Sequence, residues 1–319
     1  MNKEISAYRL GATLYMPATR IDIVETIVSK KIEGLRSLVI CLEDAVTEQH
    51  MPTALFNLNI ILKQLSEAKE INANLDWPLV FIRPRNEAIG LKLTQEYDLS
   101  AVDGFVLPKF NLISLNKWTA ILSKLHLCWM PTLETEDVFN PYAMQSLAAE
   151  LEKHKCRDKI IALRIGGNDL MNCLSLRRSR EFTVYDGPMG YVIKMLVSVF
   201  GSKGFALTAP VCEHIDDHQL LVKELALDLA HGLVGKTAIH PNQIAVIQKA
   251  MMVNPLDHQD AIRILNSTQA VFKAGGTMCE PATHRRWAKS ILDRVCYFGI
   301  APLDPVTPQV CSSIQIQHR

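Results

Sequence analysis

The sequence has 319 residues, 48% of them hydrophobic, with 34 basic and 33 acidic side chains for a net charge of +1. Such a chain can bury a large core and exceeds the roughly 250 residues typical of one barrel domain, while its balanced charge gives no electrostatic footprint for nucleic acid or an anionic membrane. No apolar run approaches the roughly 18 to 20 residues that span a bilayer, and the opening MNKEISAYRLGATLYMPATR lacks a signal-peptide apolar region, so a cytoplasmic protein with a small-molecule or protein partner is expected.

Short apolar runs closed by polar, Gly or Pro punctuation recur along the chain, each followed by a stretch of helical periodicity. In order they are RLGATLYMP from Arg9, SLVICLED from Ser37, PLVFIRP from Pro78, DGFVLPK from Asp103, LCWMPTLE from Leu127, KIIALRIGGND from Lys159, GFALTAP from Gly204 and GLVGKTAIHP from Gly232. Runs that are apolar on both faces suit parallel strands covered on both sides. Segments between them, such as RIDIVETIVSKKIEGL and HQLLVKELALDLAHGL, repeat apolar positions near i, i+3, i+4 and i+7 and stop at Gly. The expected fold is α/β, a (β/α)8 TIM barrel over residues 1–250. A doubly wound sheet is the rival, lowered by the absence of any GxGxxG or GxxxxGK[ST] after a strand.

Beyond about residue 250 the strand pattern stops, and HQDAIRILNSTQAVFKAG and ATHRRWAKSILDRVCYF read as helices. Residues 251–319 are therefore expected to be a C-terminal helical extension, an appendage without a core of its own. The eight cysteines stand singly with no ligand spacing, which indicates neither a zinc site nor a disulfide framework.

Charged side chains fall where the strands end, the place that barrel enzymes reserve for catalysis. Strand 2 runs into Glu43 and Asp44, strand 3 into Arg83, strand 4 into Lys109, strand 5 into Glu134 and strand 6 into Asp169, while strand 8 runs through Lys236 to His240. Any one of the acids could equally be a helix N-cap. As a set, Glu134 and Asp169 from adjacent strands could converge on one cation, and few protein ligands with open water positions is the arrangement Mg²⁺ prefers, with Mn²⁺ as the alternative. Arg83 suits a bidentate grip on a substrate carboxylate, with Lys109 and Arg20 as the next candidates; an ion pair between Arg83 and Glu43 can coexist with that role.

These stretches resemble the citrate lyase β-subunit and malyl-CoA lyase family, within the HpcH/HpaI aldolase superfamily. LYMPATR (Leu14 to Arg20) is similar to LYxPxxxxR, CLEDAV (Cys41 to Val46) to DLEDAV, FIRPRN (Phe81 to Asn86) to VRxN, and VLPKF (Val106 to Phe110) to VLPK. PTLET (Pro131 to Thr135) resembles LIET, GGNDL (Gly166 to Leu170) resembles FGxxDL, and GLVGKTAIHPNQI (Gly232 to Ile244) resembles GFxGKxAIHPxQI, the strongest match. The resemblance implies Mg²⁺ on Glu134 and Asp169, a substrate carboxylate on Arg83, and Glu43 and Asp44 orienting that arginine or moving protons. It implies a carbon–carbon lyase that cleaves a 3-hydroxy acid, as a citryl-, citramalyl- or malyl-CoA-like thioester, into a 2-keto acid and an enolate-derived product. In the tail, GGTMCEPATHRRWAKSIL resembles GxMIDxPxxxRAxxIL, which implies a trimer or hexamer whose Glu280 closes over a neighbouring subunit's site; Gly275-Gly276 can serve as the hinge, and a C-terminal helix packed across its own barrel is the alternative.

Several positions depart from that pattern. Glu134 and Asp169 are separated by a longer helix segment than usual, and MNCLSLRRSREFTVYDGPMG, basic at Arg177, Arg178 and Arg180, replaces the segment after Asp169. Strand 7 lacks the aspartate common near Thr208. These changes leave the metal and carboxylate grip and open the identity of the acyl part. A class II pyruvate-type aldolase on free hydroxy-keto acids and a non-catalytic barrel that binds a small carboxylate are the alternatives.

Overall fold

The computed structural model describes residues 5–302 except residue 275. It divides into two compact units, the first ending at Met251 and the second beginning at Met252.

The first unit is a barrel. Its elements are β1 (Gly11–Pro17), α1 (Ile23–Val28), β2 (Ser37–Cys41), α2 (Met51–Ile71), β3 (Leu79–Arg83), α3 (Glu87–Glu96), β4 (Gly104–Leu107), α4 (Leu112–Leu122), β5 (Cys128–Leu133), α5 (Pro141–Lys153), β6 (Leu163–Ile165), α6 (Gly167–Cys173), α7 (Pro188–Leu196), β7 (Leu207–Thr208), α8 (His218–Ala230), β8 (Gly235–Ala238) and α9 (Asn242–Ala250). The eight strands run in the order β7-β6-β5-β4-β3-β2-β1-β8. All pair in parallel, and the parallel bridge Ala209↔Lys236 closes the ring. Each of the eight apolar runs read from the sequence forms one strand. Every residue of β2 and of β3 is buried, as the two-sided apolar runs require. Inside the barrel Val39, Phe81, Val106 and Met130 pack together.

Short connections at the C-terminal ends of β3, β4 and β5 lead into helices capped by asparagine. The side chains of Asn86, Asn111 and Asn140 accept hydrogen bonds from backbone N–H groups of the first turns of α3, α4 and α5. Capping of α3, α4 and α5 therefore falls to asparagines, and the acid after β5 is left to face the barrel mouth. No described helix is long and apolar enough to cross a membrane.

The second unit corrects the reading of the tail. It holds α10 (Pro255–Asn266), the antiparallel hairpin β9 (Phe272–Ala274) and β10 (Thr277–Cys279), and α11 (Pro281–Phe298). The segment expected to be helical through residue 275 stops at Asn266, and its end supplies β9. Nor is the unit an appendage without a core: Val253, Ala261, Ile264, Phe272, Ala274, Cys279, Ala288 and Ile291 are buried together. Phe272 and Ala274 alternate inward around exposed Lys273, a strand period hidden inside what reads as a helical one. Of the glycine pair expected as a hinge, Gly275 lies outside the described residues and Gly276 has φ +85°.

Candidate active site

Strand register builds the site. Cys41 pairs with Arg83 across β2 and β3, so Glu43, two residues on and on the same face, stands beside the guanidinium. Leu133 pairs with Ile165 across β5 and β6, which brings Glu134 against Gly166 at the start of α6. A Cβ at Gly166 would lie 2.4 Å from both Cβ and Oε2 of Glu134, so only glycine leaves room for that carboxylate. Asp169 sits in the first turn of α6, where a negative charge is favoured.

Arg83 is nearly buried, its side chain 9% exposed. Its Nη2 donates to Glu134 Oε1 and Oε2 at 3.0 and 3.1 Å and contacts Glu43, and its Nη1 lies 3.4 Å from Asp44. Lys109 adds a second fixed donor. Its backbone adopts φ +48°, uncommon for a residue with a side chain, and its N–H then donates to Glu134 Oε1 at 2.8 Å. The Lys109 ammonium, 58% exposed, reaches to 3.5 Å from Glu43.

Four carboxylates, Glu43, Asp44, Glu134 and Asp169, thus face Arg83 and Lys109. Even with Arg164 one layer below, acids outnumber cations. Burial pushes the Glu134 carboxyl from 4.5 up to about 7 against the pull of Arg83. Burial also raises Glu43. Asp169 is raised by burial and by the neighbouring Asp44. Both Glu43 oxygens are buried and accept no hydrogen bond, although Arg83 and Lys109 lie in ion-pair range. A surplus of carboxylates over cations, with Glu43 and Glu134 buried and Asp44 and Asp169 more open, fits a hard divalent cation.

Other expected residues lie elsewhere. Arg20 is bound to Asp22 by two hydrogen bonds of 2.8 and 2.6 Å on the surface. Lys236 does not join the mouth. Being on the outward face of β8, its fully buried ammonium binds Glu224 and Asp228 of α8 at 2.7 and 2.9 Å. Glu280 stands in the second unit as the N-cap of α11, where its Oε2 accepts from Thr283 Oγ1 at 3.2 Å.

Sequence reading missed three contributors. Tyr15 lies between two guanidinium groups, 6.0 Å from Arg83 and 5.3 Å from Arg164. Arg164, itself buried, is tied to Thr237 Oγ1 across the barrel. A charge inside the apolar run ALRIGGND was the available signal for Arg164. The backbone N–H of Lys109 had no signal beyond the residue itself.

A family model described as carbon–carbon bond lyase of the TIM-barrel fold matches residues 4–300. Among solved structures, CitE from Mycobacterium tuberculosis in complex with magnesium, acetoacetate and coenzyme A is 21% identical over 90% of this chain and 99% of that chain, with TM-score 0.64. RipC from Yersinia pestis is 19% identical over 77% and 96%, with TM-score 0.56. The citrate lyase β-subunit from M. tuberculosis with oxaloacetate and magnesium is 20% identical over 76% and 98%, with TM-score 0.54. No curated protein matches the chain.

Proposed function

The chain belongs to the carbon–carbon bond lyase family of the TIM-barrel fold, and from that premise we propose that it is a Mg²⁺-dependent lyase for a 3-hydroxy acid, held at the barrel mouth beside Glu134, Asp169 and Arg83. The observation that carries this reading is the convergence of Glu134 and Asp169 next to a buried guanidinium, with more carboxylates than cations around them. Magnesium and small carboxylates bound to the M. tuberculosis proteins support it. Acyl thioesters of the citryl, citramalyl or malyl type are the proposed substrates, since one of those complexes also contains coenzyme A.

Glu134 and Asp169 would hold the cation, which supplies Lewis acidity toward the oxygen that becomes the keto carbonyl. Arg83 orients the substrate carboxylate through its planar fork, while Glu43 and Asp44 keep that fork in place. Cleavage requires that the 3-hydroxyl lose its proton. The bond between the hydroxyl-bearing carbon and the adjacent carbon then breaks, giving a 2-keto acid and an enolate that takes a proton on carbon. Glu43, buried beside the fork and with its pKa raised by burial, is the group we assign to proton transfer. The second unit, in a trimeric or hexameric assembly, would bring Glu280 over a neighbouring mouth.

The test is to assay purified protein with Mg²⁺ against malyl-, citramalyl- and citryl-thioesters and against free hydroxy-keto acids, with Mn²⁺ binding to Asp169→Ala followed in parallel. The reading expects keto-acid release from at least one thioester and loss of Mn²⁺ binding in the folded variant. Cleavage of free hydroxy-keto acids alone would move the function to the aldolase alternative, and parental Mn²⁺ binding by the variant would remove the metal site.

A further inference from the structure

We propose that Arg164, a buried cation one layer below the barrel mouth, is a positioning residue of the lyase reaction: acting through Tyr15, it holds the Arg83 fork toward the mouth and biases the site toward anionic ligands. This deepens the lyase reading above and rests on it for the word reaction.

Strand parity places Arg164. On β6 it shares the inward face with Ala162, which packs among Val39, Phe81, Val106 and Met130 in the barrel interior. Its register partners are Thr132 on β5 and Thr208 on β7, and Thr237 accepts from its Nη2 across the barrel. Its Nη1 lies 3.8 Å from Met130 Sδ. The guanidinium is thus surrounded by hydroxyl groups and a thioether, and although Arg164 is 2% exposed it forms no ion pair among the described residues.

Packing alone does not call for such a residue. A methionine would fill the same interior position without the desolvation that a buried guanidinium suffers, and arginine does not escape that cost by shedding its proton. The charges that offset it lie above. Glu134 follows Thr132 by two residues on the same face of β5, so it stands about 7 Å further along the strands. Its carboxylate is already held by Arg83 and by the Lys109 N–H. Arg164 therefore adds positive charge to the mouth without occupying any of its acids.

Tyr15 carries the effect to Arg83. Its ring centre lies 5.3 Å from the Arg164 guanidinium and 6.0 Å from that of Arg83. Burial above all raises the phenol pKa, so a neutral ring, not a counter-ion, separates the two cations. Like charges so placed repel. Arg164 is tethered by Thr237 and enclosed by the barrel, so the repulsion acts on Arg83, toward Glu43, Asp44 and Glu134 at the mouth. When a divalent cation neutralises those acids, the charge of Arg164 remains to attract an anionic substrate.

The experiment is calorimetry at pH 8.5, above the value of about 7 at which Glu134 titrates, on the parent, Arg164→Met and Arg164→Lys. Mg²⁺ is titrated into free protein, and oxalate into protein saturated with Mg²⁺. Arg164→Met should bind oxalate about tenfold more weakly and Mg²⁺ severalfold more tightly, on the order of what one unit charge within about 10 Å produces at an effective dielectric constant of about 20. Arg164→Lys, which returns the charge, should bring both affinities most of the way back to the parent. Opposite signs for anion and cation are the signature of a charge, whereas a side chain that merely fills the interior would weaken both together or neither. The proposal falls if oxalate binds Arg164→Met like the parent, if both affinities weaken in parallel, or if lysine restores neither. Where the methionine variant does not fold, Arg164→Gln, which keeps a donor for Thr237, takes its place; failure of both to fold makes Arg164 structural and ends the proposal. Failure of the parent to bind oxalate with Mg²⁺ would count against the lyase reading instead, and the Mg²⁺ titrations, in which the variant must still bind more tightly, would then decide on Arg164.

Discussion

Replacing Glu134 with glutamine changes almost nothing in shape and removes one buried charge. In the metal-free protein the Glu134 carboxyl, 1% exposed, is held at about 7 instead of 4.5 because burial outweighs Arg83. The folded state then binds more protons than the unfolded chain between those values. Stability from this group is complete below about pH 4.5 and is lost as pH rises through about 7, a loss of about 2–3 kcal/mol between pH 5 and pH 8. Urea unfolding followed by circular dichroism, in EDTA at pH 5 and pH 8, measures it directly. The parent should lose that stability on going to pH 8, and Glu134→Gln should lose less by about the same 2–3 kcal/mol. Glu43 and Asp169 are raised as well, so the variant keeps a residual slope of the same sign. Adding Mg²⁺ at pH 8 should stabilise the parent and leave the variant unchanged, since metal binding must displace the proton that Glu134 carries at lower pH. Parallel pH profiles of parent and variant would refute the burial argument, and equal Mg²⁺ stabilisation would remove Glu134 from the metal site.

Arg83→Lys keeps the charge but not the fork, and oxalate binding measured by calorimetry with Mg²⁺ should weaken on the order of tenfold, the worth of one charge-assisted hydrogen bond. Unchanged affinity would place the substrate carboxylate elsewhere. Gly166→Ala puts a Cβ 2.4 Å from Glu134, so a cost of about 1–3 kcal/mol from overpacking is expected together with weaker Mn²⁺ binding, both readable on one preparation. Deleting residues 252–319 should lower turnover far more than Mn²⁺ binding and change the mass seen by light scattering. Parental mass and turnover would end the proposal that Glu280 closes over a neighbouring subunit.

How far a sequence discloses such a site depends on which way each side chain turns, and two charged strand residues show why. Arg83 and Lys236 both read as charges near the ends of apolar strands, yet one faces the mouth and the other is sealed against α8. Period-two alternation separates them. On β3, Arg83 shares parity with Phe81 of the barrel interior, whereas on β8 the inward residue is Thr237, which binds Arg164, so Lys236 must point outward. The barrel itself was legible because two-sided burial writes continuous apolar runs, and the acids after β2 and β5 were legible because no apolar packing would retain them. Parity at β8 was not, since Gly235, Thr237 and Ala238 are small and Lys236, the residue in question, is the one long side chain of the strand. The same limit explains the tail: β9 contributes only Phe272 and Ala274 inward, too few to outweigh the helical pattern running into it. Its core forms only when two helices and the hairpin between them meet. Backbone contributions are the least legible of all. The Glu134 carboxylate depends on the N–H of Lys109 in a left-handed turn and on the missing Cβ of Gly166, and each of these is a property of a conformation that local residue preference did not specify.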